Sequence, residues 1–292
     1  MKNIILYIIV LFLTSCCTSR QSPKVQYSSD SSLSIRSYRL QGNEKINKGD
    51  WEGAYRDFIK VIELVPNYDT AFYNLGKISS KLGHNKEAIA YYTKAIEVNA
   101  HYLFAYYNRG NSKANLGDIQ GAIDDYTEAI KINPQYTQAI KINNQYANAF
   151  YNRGNAKSNL GDNKGAIADY LKVIEINPQY ISAYINLGVV KFDIGDYEGE
   201  VATYRQAIKN CEPDADLYNN LGRALYDLKR FKESAQAYGE GIEHFPEDCK
   251  LYYGRGLARN QSGDKDGACE DWHKSSELGC IQANALLPLC AE

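Results

Sequence analysis

Histidine is scarce in this chain, at four residues, and methionine occurs once. So few imidazoles leave little material for histidine-centred acid–base chemistry or for an imidazole metal site. Neither sign of charge dominates: 33 Lys and Arg stand against 35 Asp and Glu, a net charge of −2. Without a basic excess there is no electrostatic footprint for a phosphate backbone, so nucleic acid is not the expected partner. No apolar run approaches the ~20 residues that a membrane-spanning helix needs. The one strongly apolar stretch, Ile4 to Leu13, is too short. No phosphate-cradling glycine loop, nucleophile elbow, zinc-protease motif or Cys–His pairing occurs, so neither an enzyme nor a cofactor is expected.

Glycine and tyrosine are abundant, and glycine is periodic. Gly42, Gly76 and Gly110 lie 34 residues apart, as do Gly154, Gly188, Gly222 and Gly256. Four residues before each stands an aromatic: Tyr38, Phe72, Tyr106, Phe150, Tyr184, Tyr218 and Tyr252. Sixteen residues after each stands another: Phe58, Tyr92, Tyr126, Tyr170, Tyr204, Tyr238 and Trp272. Between them a small residue recurs (Ala54, Ala88, Ala122, Ala166, Ser234 and Ala268), with Glu200 as the exception. Gly-Asp pairs such as Gly117-Asp118 and Gly161-Asp162 suit a left-handed helix end followed by the cap of a new helix. Each period therefore reads as helix A, tight turn, helix B. A lone pair cannot bury its apolar face, so the pairs must stack. Helical glycine costs about 1 kcal/mol against alanine, which a close approach of the small residue on helix B would justify.

This pattern resembles the tetratricopeptide repeat family, in copies at 35–68, 69–102, 103–136, 147–180, 181–214, 215–248 and 249–282. The resemblance implies an all-α, right-handed superhelical solenoid of about seven repeats with a C-terminal cap at 283–292. It also implies a non-catalytic scaffold for a protein or extended-peptide partner, without naming that partner. One departure recurs: where the family often has tyrosine, three residues past the glycine, Lys113, Lys157 and Lys191 stand. The rival readings are a structural spacer using its convex face and a glycan-binding accessory to an envelope enzyme.

Lys2, the apolar run and Leu13-Thr14-Ser15-Cys16 together resemble a bacterial lipoprotein signal. This implies removal of residues 1–15, lipidation of Cys16 and a Ser-rich tether over 16–34. The expected address is the cell envelope, with the outer membrane favoured. The alternative is an ordinary secretory signal.

Of the remaining cysteines, Cys249, Cys269, Cys280 and Cys290 lie close to the C-terminus. In an oxidising compartment a Cys269–Cys290 disulfide would staple a terminal helix over the last repeat; free buried thiols are the alternative. Cys269 and His273 sit one helical turn apart near Cys280, but no second ligand pair accompanies them, so no metal is expected.

Two further patterns run through the copies. Arg109, Arg153 and Arg255 precede the glycine only where Asp125, Asp169 and Asp271 follow sixteen residues later; the leucine copies carry Tyr91, Thr203 and Ala237 there. This covariation predicts a structural salt bridge between helices A and B. Second, helix A is rich in asparagine on the side away from the packing aromatic, the side that lines the concave surface in this family. Asn74, Asn108, Asn152, Asn186 and Asn220 precede the glycine by two, and Asn111 and Asn155 follow it by one. Tyr73, Tyr107 and Tyr151 flank them. An amide both donates and accepts, as a peptide group does, so a row of them suits an extended backbone, with tyrosines adding apolar contact. The row is similar to the asparagine ladder of the O-linked N-acetylglucosamine transferase repeat domain. Arg39, Asn43 and Asn74 match the start of the chaperone-adaptor carboxylate clamp, but Phe104 and Asn108 stand where it needs basic residues. Finally, 127–136 and the insertion 137–146 differ at only two of ten positions, which reads as a local duplication forming either an early start to the next helix or a loop.

Overall fold

The computed structural model describes residues 29–132 and 145–290, and all their regular elements are helical. The chain divides after Asn67 into two units. The first holds one antiparallel pair, α1 (Ser29–Lys48) and α2 (Trp51–Leu64). Helix α1 takes up residues 29–34, which the sequence assigned to the tether.

The second unit is a solenoid of six pairs. They are α3 (Asp69–Lys81) with α4 (Asn85–Val98), α5 (Leu103–Asn115) with α6 (Ile119–Ile132), and α7 (Gln145–Asn159) with α8 (Asn163–Ile176). Then follow α9 (Ile181–Asp193) with α10 (Tyr197–Asn210), α11 (Ala215–Asp227) with α12 (Phe231–His244), and α13 (Cys249–Ser262) with α14 (Lys265–Glu277). Successive A helices approach one another more closely than successive B helices, so the A helices form the inner wall of the curve. Of the duplicated segment, 137–144 lies outside the described residues, and α7 begins at Gln145.

The turns follow the chemistry of their residues. Gly117, Gly161, Gly195 and Gly263 adopt φ of 80° to 91°, the left-handed region that only glycine enters freely. Next to them Asp118, Asp162, Asp196 and Asp264 accept the amide of Gly121, Gly165, Gly199 and Gly267 at 2.9–3.0 Å. A glycine three residues past the cap leaves room for the carboxylate. Between α11 and α12 the rule is broken: Lys229 takes φ 59°, and Arg230 pairs with Glu233 instead.

The periodic glycine has a different use from the one expected. A Cβ at Gly76, Gly110 or Gly154 would lie 2.7–2.9 Å from the ring of Tyr92, Tyr126 or Tyr170. The close neighbour is thus the aromatic ring of the same repeat, more than the small residue; at Gly110 and Gly256 that residue's carbonyl comes near, and in the sixth repeat Ser234 Oγ donates to the Gly222 carbonyl. Those rings are almost fully buried, and the core runs without a break from Ala147 to Ala237 across successive pairs.

Arg109, Arg153 and Arg255 each grip their aspartate with two bonds. Nε reaches Oδ2 at 2.9 Å in all three, and Nη2 reaches Oδ1 at 2.6–2.7 Å. A second cation completes each cluster: Lys113 on Asp125 and Lys157 on Asp169 at 2.9 Å, and Arg259 on Asp271 at 3.0 Å. Two of the three lysines that depart from the family pattern, Lys113 and Lys157, are thus partners of the same buried aspartates, whereas Lys191 donates to the Gly199 carbonyl and to Thr203, which holds the aspartate's position in its repeat. Arg109 and Arg153 also donate to Thr93 and Thr127 on the preceding B helix, tying three helices together.

Beyond α14 the cap is a single helical turn, α15 (Ile281–Asn284), then a 3-10 turn, Leu287–Cys290. Pro288 removes a donor and disfavours helix before it, so no continuous cap helix forms. Cys269 and Cys290 are joined, and so are Cys249 and Cys280, a pairing the sequence reading did not reach. Among the described residues no helix is long and apolar enough to cross a membrane.

The clusters make a quantitative prediction. The Asp169 side chain is 4 % exposed and that of Arg153 15 %. Asp169→Ala strands two cations and should cost about 3 kcal/mol in urea unfolding. Arg153→Met with Asp169→Leu should cost distinctly less than the two single changes added together. Strict additivity would refute a coupled cluster.

Candidate functional site: the asparagine-lined inner face

The asparagines that seemed free to meet a ligand are first of all bonded to one another. Asn152 Nδ2 donates to Tyr107 Oη at 3.3 Å and to Asn111 Oδ1 at 2.9 Å, both in the preceding repeat. Asn186 repeats this one step on, donating to Tyr151 Oη at 3.0 Å and Asn155 Oδ1 at 2.8 Å. From below, Tyr126 Oη donates to Asn111 Oδ1 at 2.8 Å, and Tyr170 Oη to Asn155 Oδ1 at 2.7 Å. The third and fourth repeats, and the fourth and fifth, are therefore each sewn by a Tyr–Asn–Asn–Tyr chain. Asn108 makes only half of it: it reaches Tyr73 Oη at 3.2 Å, but Lys77 stands where the acceptor asparagine would be, and its other proton goes to the Phe104 carbonyl.

These bonds orient the amides. Asn111 and Asn155 accept twice through Oδ1, and among the described residues the Nδ2 of each has no acceptor. Asn152 and Asn186 donate twice through Nδ2, and among the described residues the Oδ1 of each accepts nothing. All four side chains are half-buried and line two adjoining depressions of the inner wall. One, of about 250 Å3, is bounded by Asn111, Tyr126, Asn152 and Asn155; the other, of about 360 Å3, by Asn155, Tyr170, Asn186 and Val189. Burial pushes the Tyr170 hydroxyl up to about 12, countered in part by the Asn186 amide, so it stays a donor at neutral pH.

Tyr73, Tyr107 and Tyr151 are not free platforms. Tyr73 packs on Tyr92 and Tyr102 at 6.0 and 5.0 Å between centroids, Tyr107 on Tyr126 at 6.0 Å, and Tyr151 on Tyr170 and Tyr180 at 6.1 and 5.1 Å. Their role is to hold neighbouring repeats and to accept from the asparagines.

The pattern stops in the fifth repeat. Ile185 and Val189 replace the tyrosine and the acceptor asparagine there, so Asn220 in the sixth repeat has no hydrogen-bond partner among the described residues. Asn74 likewise makes no such bond, and both are half-buried. Cys269 and Cys280, which the sequence places near His273, are both in disulfides. Among the described residues no three His, Cys, Asp or Glu side chains are grouped to hold a metal ion.

Stacked helix pairs with a shared core and an inner wall of A helices define a repeat-built binding scaffold. Tetratricopeptide repeat profiles match residues 42–83, 69–102, 104–136, 159–195, 181–213 and 215–248, and the chain belongs to the tetratricopeptide repeat family. Members of such a family serve as protein-interaction scaffolds, and the fold is common, shared by at least 471 solved chains, so shape alone selects no partner. The crystal structure of MamA protein is similar at 28% identity and a TM-score of 0.55, over 61% of this chain and 92% of that one. A tetratricopeptide repeat protein from Parabacteroides merdae is similar at 21% identity and TM-score 0.57, over 89% of this chain and 100% of that one. The pilF protein of Pseudomonas aeruginosa is similar at 16% identity and TM-score 0.57, over 76% and 96%. The last two show the fold alone. No curated protein sequence matches this one.

Glu200 lies below this wall at the break, in the slot that holds Ala or Ser in the other small-residue copies. It is 1% exposed, and neither carboxylate oxygen has a hydrogen-bond partner among the protein atoms. Burial pushes its carboxyl up to about 7, with Arg223 pulling down and Asp227 pushing up. A carboxyl that titrates at about 7 folded and 4.5 unfolded favours folding below pH 4.5, and this contribution disappears as pH rises to 7. Wild type should therefore lose up to about 3 kcal/mol relative to Glu200→Gln between pH 4.5 and 8, measured by urea unfolding of both proteins. Parallel stability curves for the two would refute a neutral buried carboxyl.

Proposed function

We propose that the inner wall of the second unit holds an extended stretch of a partner polypeptide by its main chain, and that the protein does so tethered outside the cytoplasm through a lipidated Cys16. The observation that carries the first part is the unused hydrogen-bonding capacity along α5, α7 and α9. Donors on Asn111 and Asn155 alternate with acceptors on Asn152 and Asn186, at depressions one repeat apart. A peptide backbone presents the same alternation, and a site that reads it is tolerant of side-chain sequence. The internal bonds make the amides rigid before the peptide arrives, which lowers the entropy lost on binding. The tether rests on the sequence around Cys16 and on the oxidised cysteine pairs, which suit an exported protein.

Asn111→Asp with Asn155→Asp tests the reading atom by atom. Aspartate keeps the oxygen that accepts from tyrosine and asparagine but replaces the unused donor with an acceptor. Binding of unstructured peptides selected on the wild type should weaken at least 10-fold in fluorescence anisotropy, with the unfolding midpoint nearly unchanged. Undiminished binding would place recognition on another face. For the tether, Cys16→Ser should shift the protein from the membrane to the soluble fraction of its host, and an unaltered distribution would reject lipidation there.

A further inference from the structure

The break in the ladder coincides with a second irregularity, and the two lie on one spot. In the third and fourth repeats the buried tyrosine hydroxyl, Tyr126 or Tyr170, is satisfied by Asn111 or Asn155. In the fifth repeat Val189 holds that asparagine's position, and Tyr204 Oη has no partner among the protein atoms although the residue is fully buried. One turn earlier on the same helix, α10, stands Glu200, with two further unpartnered oxygens. Three buried polar atoms without a hydrogen bond is a costly arrangement for a structure that satisfies the tyrosine hydroxyl in the two preceding repeats.

What lies over them is a side chain that can leave. Arg223, in the acceptor-asparagine position of the sixth repeat, is 48% exposed; it faces both the Tyr204 hydroxyl and Glu200, approaching Glu200 Oε1 to 3.6 Å without a hydrogen bond. Its guanidinium rests against the exposed ring of Phe192 at 5.8 Å. Asp227, on the same helix as Arg223, adds a second carboxylate to the field at Glu200. From α9, Lys191 is turned away to the Gly199 carbonyl and the Thr203 hydroxyl, and on α10 Glu198 pairs with Arg230. The balance is two carboxyl groups against one loosely held cation, at the end of the row of amides.

We propose that Glu200, with Tyr204, forms a side-chain subsite at the junction of the fifth and sixth repeats that accepts a lysine ammonium of the bound polypeptide, Arg223 swinging aside along Phe192 to admit it. The subsite rests on the main-chain reading above and adds to it: the third to fifth repeats hold backbone without regard to sequence, and this junction sets which residue is seated. An ammonium on a four-carbon stem is slim enough to reach a carboxylate that a planar guanidinium cannot bond from its present anchor, and it brings three donors to three waiting oxygens. Seating it requires the ionised carboxylate, so the preference for lysine strengthens as pH rises past about 7.

The test uses two fluorescent peptides of the same uncharged, extended sequence, one with a single central lysine and one with norleucine in its place. Each is titrated against the folded wild type and Glu200→Gln. At pH 8 the wild type should prefer lysine about 10-fold or more; the preference should fall towards unity at pH 6, and at both pH values in Glu200→Gln. Equal binding of both peptides to wild type at pH 8, or a lysine preference that persists in Glu200→Gln, overturns the subsite while leaving the main-chain reading intact. Failure of both peptides to bind wild type overturns the main-chain reading and the subsite with it. Circular dichroism of Glu200→Gln confirms that the comparison is between folded proteins.

Discussion

The contact on which everything else hangs is an aromatic ring packed against the backbone of a glycine. Tyr92 on Gly76, Tyr126 on Gly110 and Tyr170 on Gly154 bring helix B against helix A at a separation no other residue allows, since a Cβ would enter the ring. That separation determines which polar groups can meet. It lets Arg153 span to Asp169, and it places the tyrosine hydroxyl directly under Asn155. The ring, the ion cluster and the amide chain are thus three layers of one packing arrangement. Because the arrangement recurs with the period, its polar consequences recur too.

Much of the fold was legible because its determinants are local and repeated. Glycine, aromatic and small residue at fixed offsets define the helix pair, and the Gly-Asp turn marks its bend. The Arg–Asp covariation could be read because three copies vary together while others abstain. The second cation was missed, although Lys113 and Lys157 sit in the same copies as Asp125 and Asp169. A pairwise comparison of positions does not reveal a third member. The asparagines were read as free groups, and the bonds among them were missed. Bonds from Asn152 to Asn111 cross between repeats at a separation unrelated to the period within one of them, and only the stacking brings them together. The same is true of Cys249 and Cys280, whose pairing depends on where the last turn folds back.

Repetition also explains where individuality resides. A residue that obeys the pattern is accounted for by packing, whatever else it does. One that departs from it has been released from that duty. The fifth repeat departs three times, at Ile185, Val189 and Glu200, and these changes are connected: two remove hydrogen-bond partners and one adds a buried carboxyl. The neighbouring turn departs as well, with Lys229 in a backbone conformation elsewhere reserved for glycine. The third and fourth repeats form a uniform surface, and the fifth and sixth form a particular one.

The paired cysteines change the order in which this array comes apart. A stacked array ordinarily frays from its outermost pair, which has a neighbour on one side only. Here that pair, α13 with α14, is crossed by two covalent ties within about forty residues, one fastening α13 to the entrance of α15 and the other fastening α14 to the closing turn. Each loop of 31 or 21 residues removes chain entropy from the opened state, worth about 3 kcal/mol in the loop-closure account. The weakest link is thereby moved inward, towards helix pairs held by side chains alone. Under thermal or mechanical load the interior repeats would let go while the terminal knot still stood, leaving a folded nucleus from which the array can zip back.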